Sequence, residues 1–350
     1  MQTTTLKAFA QDARRKLIEQ ISNRLEQVLR TDSLEQRERK QQIEQLKRGL
    51  EEKGKAALVE EVAYTWFNRL VALRFMDAND YTRPRVLSPA DGETLPEILQ
   101  QAKRGLIEED LPVDRKRVLQ LLNGELPSAD PQNEAYQLLL IAACNQWHRA
   151  MPFMFQRLQD YTELLVPNDL LSARSIVQDV REGMSGTDAQ NVEIIGWLYQ
   201  FYISEKKDAV FAAKGRVAPA DLPAATQLFT PRWIVEYMVQ NTLGKLWLQN
   251  RPNSGLRAHM PYYIDSPAAQ AADFLRIDSV TDIRFLDQAC GSGHILLYAF
   301  ELLTLMYEEE GYGKSEIPQL ILQHNLRGFE IDERAAQLAG FALMMKARGY

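Results

Sequence analysis

The fold of this chain is decided by one stretch near its end, RFLDQACGSGHILL, which runs from Arg284 to Leu297. A short apolar run closes on the carboxylate of Asp287, passes two glycines, Gly291 and Gly293, and opens into an amphipathic run. This order predicts a strand, a tight loop and a helix. Glycines let backbone N–H groups approach a ligand closely, and the start of a helix presents unsatisfied donors and partial positive charge. The stretch therefore predicts a cradle for a cofactor.

The residues around the cradle continue this alternation of strand and helix. Strands are predicted over 283–286 and 326–331, and helices over 294–309, 316–325 and 333–347. Strands that alternate with helices form parallel βα units, and they predict the start of a Rossmann-like parallel sheet. Because two such units are fewer than a doubly wound domain needs, we expect the sheet to be incomplete within these residues.

The first two thirds of the chain shows helical periodicity alone. Two of its predicted helices, 58–76 and 136–147, are apolar around most of their circumference, which is typical of buried helices. Residues 214–225 have the Gly, Pro and Ala content of a linker. We therefore predict an α+β multi-domain protein, with an all-α N-terminal domain over 1–220 and the beginning of a cofactor-binding domain over 221–350.

Composition and charge limit the class of protein. Hydrophobic residues make up 45% and charged residues 25%, which excludes a fibrous or disordered chain. The formal net charge of -6 provides no general attraction to nucleic acid, and two cysteines give no disulfide framework. The sequence has neither the apolar core of a signal peptide nor an apolar run long enough for a membrane helix. We expect a cytoplasmic protein with no membrane partner.

The glycine loop by itself leaves its ligand open. A dinucleotide-binding fingerprint has the pattern G-x-G-x-x-G/A, and Leu296 stands at its third glycine position when Gly291 is the first. This argues against NAD. An alternative ligand is S-adenosylmethionine, whose ammonium group can meet a strand-end carboxylate such as Asp287. A structural turn that binds no ligand is the third interpretation.

Two further motifs accompany the loop. Upstream, TQLFTPRWIVEYMV (226–239) predicts a helix with Thr230 as its N-cap and Pro231 as its first residue. Downstream, GFEID (328–332) places Glu330 at the end of the second strand, where its carboxylate can accept both hydroxyls of a ribose or cap the next helix. Each motif is ambiguous when it is considered alone.

Together the motifs resemble those of N6-adenine DNA methyltransferases, which carry FTPxxIVxxMV, LDxACGSGH and GxEID in this order. The resemblance implies that residues 221–350 begin a class I methyltransferase domain that binds S-adenosylmethionine. The residues that flank the cofactor would be Phe229, Thr230 and Pro231. Its methionine part would be held by Asp287, Ala289, Gly291 and Gly293. The ribose and the adenine ring would be met by Glu330 and Ile331, respectively.

A closer similarity is to the PglX methyltransferases of BREX phage-defence systems, from Ala13 onwards. It is carried by VAYTWFNRLVALRFM (62–76), GHILLYAF (293–300) and the run that begins AAQLA (335–339). That family is much longer, and this chain is similar to its N-terminal part. The resemblance implies a site-specific adenine-N6 methyltransferase of a restriction-modification-like defence system. It also implies double-stranded DNA as a partner, bound through parts beyond residue 350, and other defence proteins as further partners.

Two departures from the family pattern concern the cofactor residues. Gln288 stands where many of these enzymes have proline, although both glycines are intact. Glu330 lies 43 residues after Asp287, whereas a compact unit places its acidic residue about 20 residues beyond the glycine loop. The predicted helix over 316–325 accounts for the added length.

The sequence lacks the tetrapeptide that adenine methylation requires. A D/N-P-P-Y/F/W loop hydrogen-bonds the target amino group and stacks on the flipped base, and the nearest match here is Met260-Pro261-Tyr262-Tyr263. We therefore assign no catalytic residue and no metal ligand, and we expect these residues alone to bind cofactor without methylating DNA. The alternatives are a non-catalytic helical interaction module in a defence complex and a methyltransferase that acts on RNA, protein or a small molecule.

Overall fold

The computed structural model describes residues 3–30, 33–156, 161–213, 215–228, 230–265 and 274–350. In these residues the chain is mostly helical and contains a small sheet of two parallel strands. It divides into two compact units, Met1–Glu205 and Lys206–Tyr350. The boundary between residues 220 and 221 stays a prediction.

The first unit is built from helices, and none of its described residues lies in a strand. No helix in the described part of the chain is both long and apolar enough to cross a membrane. The helices that begin in this unit are α1 (Thr3–Val28), α2 (Leu34–Glu38), α3 (Lys40–Lys53), α4 (Lys55–Ala78), α5 (Glu97–Lys103), α6 (Arg115–Leu122), α7 (Pro131–Trp147), α8 (Tyr161–Leu164), α9 (Ile176–Gly183) and α10 (Glu193–Ala212).

The central helix of this unit is α4, which packs against α1, α3 and α9. Its side chains are buried around most of the circumference, and Trp66 is fully buried, so the predicted core helix is confirmed. Helix α7 is buried as predicted but begins at Pro131, five residues before the predicted start. The earlier start has a local cause, because the Asp130 side chain accepts a hydrogen bond from the backbone of Asn133 and proline suits the first helical position.

A buried carboxylate at the end of α4 fixes the loop that follows. Asp77 is 2% exposed, and its oxygens accept hydrogen bonds from the Thr82 hydroxyl and from the backbone N–H groups of Val86, Leu87 and Ser88. Burial raises the pKa of Asp77, and the hydrogen bonds from Thr82, Val86 and Leu87, together with the Ser88 side chain, oppose the shift. Three backbone N–H groups of the loop therefore depend on the Asp77 side chain for their hydrogen-bond acceptor.

The second unit contains the two strands and the remaining helices. The strands are β1 (Phe285–Asp287) and β2 (Leu326–Gly328), paired in parallel with Asp287 opposite Gly328. The helices are α11 (Leu222–Thr226), α12 (Arg232–Val239), α13 (Lys245–Asn250), α14 (His294–Glu309), α15 (Ile317–Leu320) and α16 (Glu333–Arg348). Helix α14 supplies much of the core, through fully buried residues that include Phe300, Leu303 and Tyr307.

Three local predictions in this unit need correction. Helix α12 begins at Arg232, with Pro231 rather than Thr230 at the N-cap and with no side chain capping it. The predicted helix over 316–325 consists of α15 followed by a π turn, Ile321–Asn325. The second strand ends at Gly328 rather than at Ile331. Its partner β1 ends at Asp287, opposite Gly328, and the chain after Asp287 turns into the glycine loop.

Buried hydrogen bonds anchor the turn that leads into β2. Asn325 is fully buried, and its side-chain amide donates to the backbone carbonyls of Val280 and Ile283 over 2.8 and 3.0 Å. Its side-chain oxygen accepts a hydrogen bond from the Tyr307 hydroxyl over 2.8 Å. These contacts hold the segment before β1, helix α14 and the start of β2 together, and they align the carboxyl ends of the two strands.

Candidate cofactor site

The candidate site lies where the carboxyl ends of β1 and β2 meet. Hydrogen bonding continues beyond the paired residues, since the N–H of Phe329 donates to the carbonyl of Asp287 over 2.9 Å. The carbonyl of Phe329 in turn accepts a hydrogen bond from the N–H of Cys290 over 3.0 Å. The glycine loop is therefore hydrogen-bonded to the residues that follow β2. This position, at the carboxyl ends of parallel strands, is where open α/β sheets bind their ligands.

The loop requires glycine at both predicted positions. Gly291 and Gly293 have φ angles of +54° and +86°, a region that other residues adopt only with strain. A Cβ atom at Gly293 would lie 3.0 Å from the Cβ atom of Ala339, so α16 packs directly against the loop. Gly293 is also the N-cap of α14, which places the unsatisfied N–H groups of that helix at the loop.

Glu330 is fixed beside the loop by two backbone donors. Its Oε2 atom accepts a hydrogen bond from the N–H of Gly291 over 2.7 Å, and its Oε1 atom accepts one from the N–H of Asp332 over 3.0 Å. Asp332 is buried and is the N-cap of α16, so the donor to Oε1 is itself held in place by the fold. A carboxylate oxygen can accept more than one hydrogen bond, and each oxygen of Glu330 can therefore still accept one from a ligand hydroxyl.

Asp287 carries a carboxylate oxygen that lacks a partner. Its Oδ1 atom accepts a hydrogen bond from the N–H of Ala289 over 3.1 Å, whereas its buried Oδ2 atom has no hydrogen bond to any described residue. Burial raises the pKa of Asp287, the Ala289 N–H opposes this effect, and the negative charge of Glu330 adds to it. Two neighbouring carboxylates favour a ligand that brings positive charge to this point.

Cys290 lies inside the loop without the properties of a nucleophile. Burial, together with the negative charges of Asp287 and Glu330, raises the pKa of the Cys290 thiol to about 11. The thiol is therefore protonated at neutral pH, and only thiolates are effective nucleophiles.

The segment upstream of α12 lies against the same loop. Phe229 falls outside the described residues, Thr230 is half-buried, and Pro231 is exposed. The side-chain nitrogen of Gln227 lies 3.3 Å from the position that a Cβ atom of Gly291 would occupy. No local pattern in the sequence indicates Gln227, because only the packing of two distant segments brings it to the loop.

Contacts between α12 and α14 hold this upstream segment near the loop. The guanidinium group of Arg232 pairs with Glu301 on α14 over 3.1 Å and lies 5.7 Å from the ring centroid of Tyr298. The Gln240 side chain, in the turn after α12, donates to the Tyr298 hydroxyl over 2.7 Å. These contacts keep the start of α12 next to the helix that follows the glycine loop.

The predicted adenine contact is an exposed apolar side chain. Ile331 follows Glu330 directly and is 77% exposed, and Phe329 on the other side of Glu330 is 66% exposed. Two apolar side chains thus project into solvent next to the carboxylate assigned to the ribose. Contact between Ile331 and an adenine ring stays a prediction.

The structure thus places a glycine loop and two carboxylates together at the carboxyl ends of two parallel strands, the position at which open parallel sheets bind ligands. Over 317 residues, 87% of the chain, the sequence is 45% identical to the adenine-specific methyltransferase BrxX of Escherichia coli O9:H4 (strain HS). Over 314 residues, 83% of the chain, it is 40% identical to the adenine-specific methyltransferase PglX of Lacticaseibacillus casei. The resemblance found from the motifs is confirmed, and the chain is homologous over most of its length to adenine-specific methyltransferases of the BrxX and PglX type.

The homology covers a part of these relatives. Each match includes 26% of the relative, so the chain spans about a quarter of the length of the proteins it matches. No family model matches the chain.

Proposed function

We propose that this chain forms the cofactor-binding part of an S-adenosylmethionine-dependent methyltransferase that modifies the N6 atom of adenine in double-stranded DNA, as part of a BREX phage-defence system. The names of the relatives support adenine as the target. The observation that carries the cofactor assignment is the unpartnered Oδ2 atom of Asp287 beside the glycine loop. The two strands and the helices around them would be the start of a Rossmann-like domain.

The residues of the site fit S-adenosylmethionine in charge and in hydrogen-bonding capacity. This cofactor carries an ammonium and a sulfonium group, and the carboxylates of Asp287 and Glu330 provide the negative charge that both groups favour. Asp287, Ala289, Gly291 and Gly293 would hold the methionine part, with the Oδ2 atom of Asp287 accepting from the ammonium group. Glu330, which two backbone N–H groups already orient, would accept the ribose hydroxyls.

The remaining assignments concern the rim of the site. Phe229, Thr230 and Pro231 would flank the cofactor, and Ile331 would cover one face of the adenine ring. When bound, the cofactor supplies a methyl group activated by its positive sulfur. The residues of this chain would bind and orient that group, and would exclude water from it at the loop.

The acceptor side of the reaction would be formed by another part of the protein. The sequence contains no D/N-P-P-Y/F/W tetrapeptide, which methyltransferases of this class use to hold the target base. The relatives are about four times as long as the segment they share with this chain. We place the base-binding loop and the main DNA contacts in that additional length.

Calorimetric titration with S-adenosylmethionine tests the proposal. We expect saturable binding of S-adenosylmethionine and of its product S-adenosylhomocysteine, and no binding of NAD, which the loop pattern disfavours. The folded state of the chain is verified by circular dichroism in the same sample. A folded chain that binds neither adenosyl compound at millimolar concentration would contradict the proposal, and would favour a helical interaction module.

A further inference from the structure

A lysine outside the motifs is hydrogen-bonded to the backbone of Gln227, whose side chain lies against the glycine loop. Lys207 lies near the end of α10, and its ammonium group donates a hydrogen bond to the backbone carbonyl of Gln227 over 2.6 Å. Lys207 is half-buried, and no carboxylate among the described residues forms an ion pair with it. Its charge is thus directed to a backbone carbonyl.

The backbone of Gln227 is fixed on both sides by this arrangement. Its N–H donates to the carbonyl of Pro223 over 3.0 Å at the end of α11, while its carbonyl accepts from Lys207. The side chain of Gln227 extends from this fixed point to the glycine loop, with its nitrogen 3.3 Å from the Cβ position of Gly291.

Among the described residues next to Gln227, apolar burial contributes little to holding the segment. Leu228 is 69% exposed, and Thr226 and Pro231 are exposed as well. A segment with few buried apolar contacts opens locally at low free-energy cost unless polar contacts hold it. A charge-assisted hydrogen bond is among the stronger of such contacts.

We infer that Lys207 is a positioning residue for the cofactor site, which keeps Gln227 and the segment around it over the glycine loop and thereby sets the affinity for the methionine part of the cofactor. The inference rests on the proposed function, because it takes the ligand of the loop to be S-adenosylmethionine. The inference adds Lys207 to the site, although Lys207 lies 20 positions before Gln227 and outside every motif of the sequence.

Substitution of Lys207 tests this inference. Lys207→Met keeps the apolar stem and removes the donor, and Lys207→Arg keeps a donor. For Lys207→Met we expect the Kd of S-adenosylhomocysteine to rise about tenfold, as is typical for loss of a charge-assisted hydrogen bond. The Kd of 5′-methylthioadenosine, which has the same nucleoside without the amino acid part, should not change. Lys207→Arg should bind both compounds as the parent does.

The neighbouring residue offers a matched control. Lys206 forms a 3.8 Å ion pair with Asp221, so Lys206→Met also removes one half-buried ammonium group from α10 and should leave both affinities unchanged. Thermal unfolding of each variant shows whether the fold is retained. If a variant unfolds, hydrogen exchange at the Leu228 amide in the parent provides a second measurement, and we expect S-adenosylhomocysteine to slow it.

The outcomes separate the inference from the proposed function. Equal binding of S-adenosylhomocysteine by the parent and Lys207→Met would overturn the inference alone. Equal weakening of both compounds would also overturn it, because it would indicate a general structural role. Failure of the parent itself to bind either compound would overturn the proposed function and this inference together.

Discussion

The backbone N–H of Gly291 donates a hydrogen bond to Glu330 Oε2 over 2.7 Å, which joins residues 39 positions apart in the sequence. This contact connects the loop after β1 with the end of β2, and it places the proposed methionine and ribose contacts next to each other. The carboxylate is therefore oriented before any ligand binds, which reduces the ordering that binding must supply.

Glu330→Gln should weaken cofactor binding and leave the fold intact. The amide retains one acceptor oxygen but replaces the other with a donor, so it cannot accept from both Gly291 and Asp332. We expect the Kd of S-adenosylhomocysteine to rise about tenfold or more, measured by calorimetry. The control is Glu308→Gln, which removes a surface carboxylate of α14 and should not alter binding. Unchanged affinity in Glu330→Gln would show that Glu330 does not contact the ligand.

Gly291→Leu should abolish cofactor binding, since it introduces a side chain into the space between the loop and Gln227. The backbone strain of a residue at positive φ costs about 1–3 kcal/mol. Gly311→Leu is the matched control, because Gly311 has a φ of +85° with no atom within 4 Å of its Cβ position. Both variants should lose similar stability in urea unfolding, and only Gly291→Leu should lose binding. Loss of binding in both would indicate a stability effect.

Asp287→Asn should raise the stability of the protein and abolish binding of the ligand. Because burial raises the pKa of Asp287 in the folded state, its ionised form costs stability at neutral pH, and this cost disappears below the pKa of the unfolded state. The asparagine variant avoids the cost and keeps an acceptor for the Ala289 N–H. We therefore expect a higher melting temperature at pH 7 together with loss of S-adenosylmethionine binding. Asp278→Asn, at an exposed position, should change neither.

The same carboxylate predicts how binding depends on pH. The ammonium group of the cofactor requires ionised Asp287, whose pKa lies above its usual value. The affinity of the parent should fall as the pH is lowered towards and through that pKa, because Asp287 must then release its proton when the cofactor binds. Calorimetry in buffers of different ionisation enthalpy measures this proton release. A constant affinity from pH 7 down to pH 4 would argue against a direct contact with Asp287.

Glu309 predicts an acid-sensitive contribution to the stability of the second unit. Its carboxylate accepts hydrogen bonds from Ser254, Trp247 and the N–H of Gly255; burial raises its pKa, but these bonds outweigh burial and lower it overall. A lowered pKa means that the stabilisation is present above the unfolded-state pKa and is lost as the pH falls through the folded-state pKa.

At pH 7, Glu309→Gln should therefore lower the free energy of unfolding by less than about 1 kcal/mol, because Glu309 is exposed and solvent screens its charge. The difference from the parent should shrink as the pH falls below the usual glutamate pKa near 4.5. Urea unfolding at several pH values measures this difference. Equal stability at pH 7, or a difference that grows in acid, would contradict the assignment of Glu309 as an ionised acceptor.

Asp77→Ala should destabilise the helical unit by about 3 kcal/mol, because it leaves the buried N–H groups of Val86, Leu87 and Ser88 without an acceptor. Asp91→Ala, which removes a fully exposed carboxylate of the same loop region, is the control. Urea unfolding followed by circular dichroism provides the measurement. A loss below about 1 kcal/mol, the value of an ordinary hydrogen bond, would show that water replaces the carboxylate there.

The amino-acid sequence by itself determined the type and order of the main elements. Helical periodicity located the buried helices α4 and α7, and the run around Gly291 and Gly293 located the strand, loop and helix at the site. These features are local, since each depends on residues within a few turns of one another. The order of three motifs also identified the homologous proteins, because motif order survives changes in the intervening chain.

Tertiary structure alone decided which distant residues meet at the site. The contact of Gln227 with the loop, the hydrogen bond between Gly291 and Glu330, and the attachment of Lys207 to Gln227 each join segments that periodicity treats separately. The correction at the N-cap of α12 has a similar origin, because its first turn is positioned by contacts with α14. Such contacts depend on how whole elements pack, and no local pattern in the sequence specifies that packing.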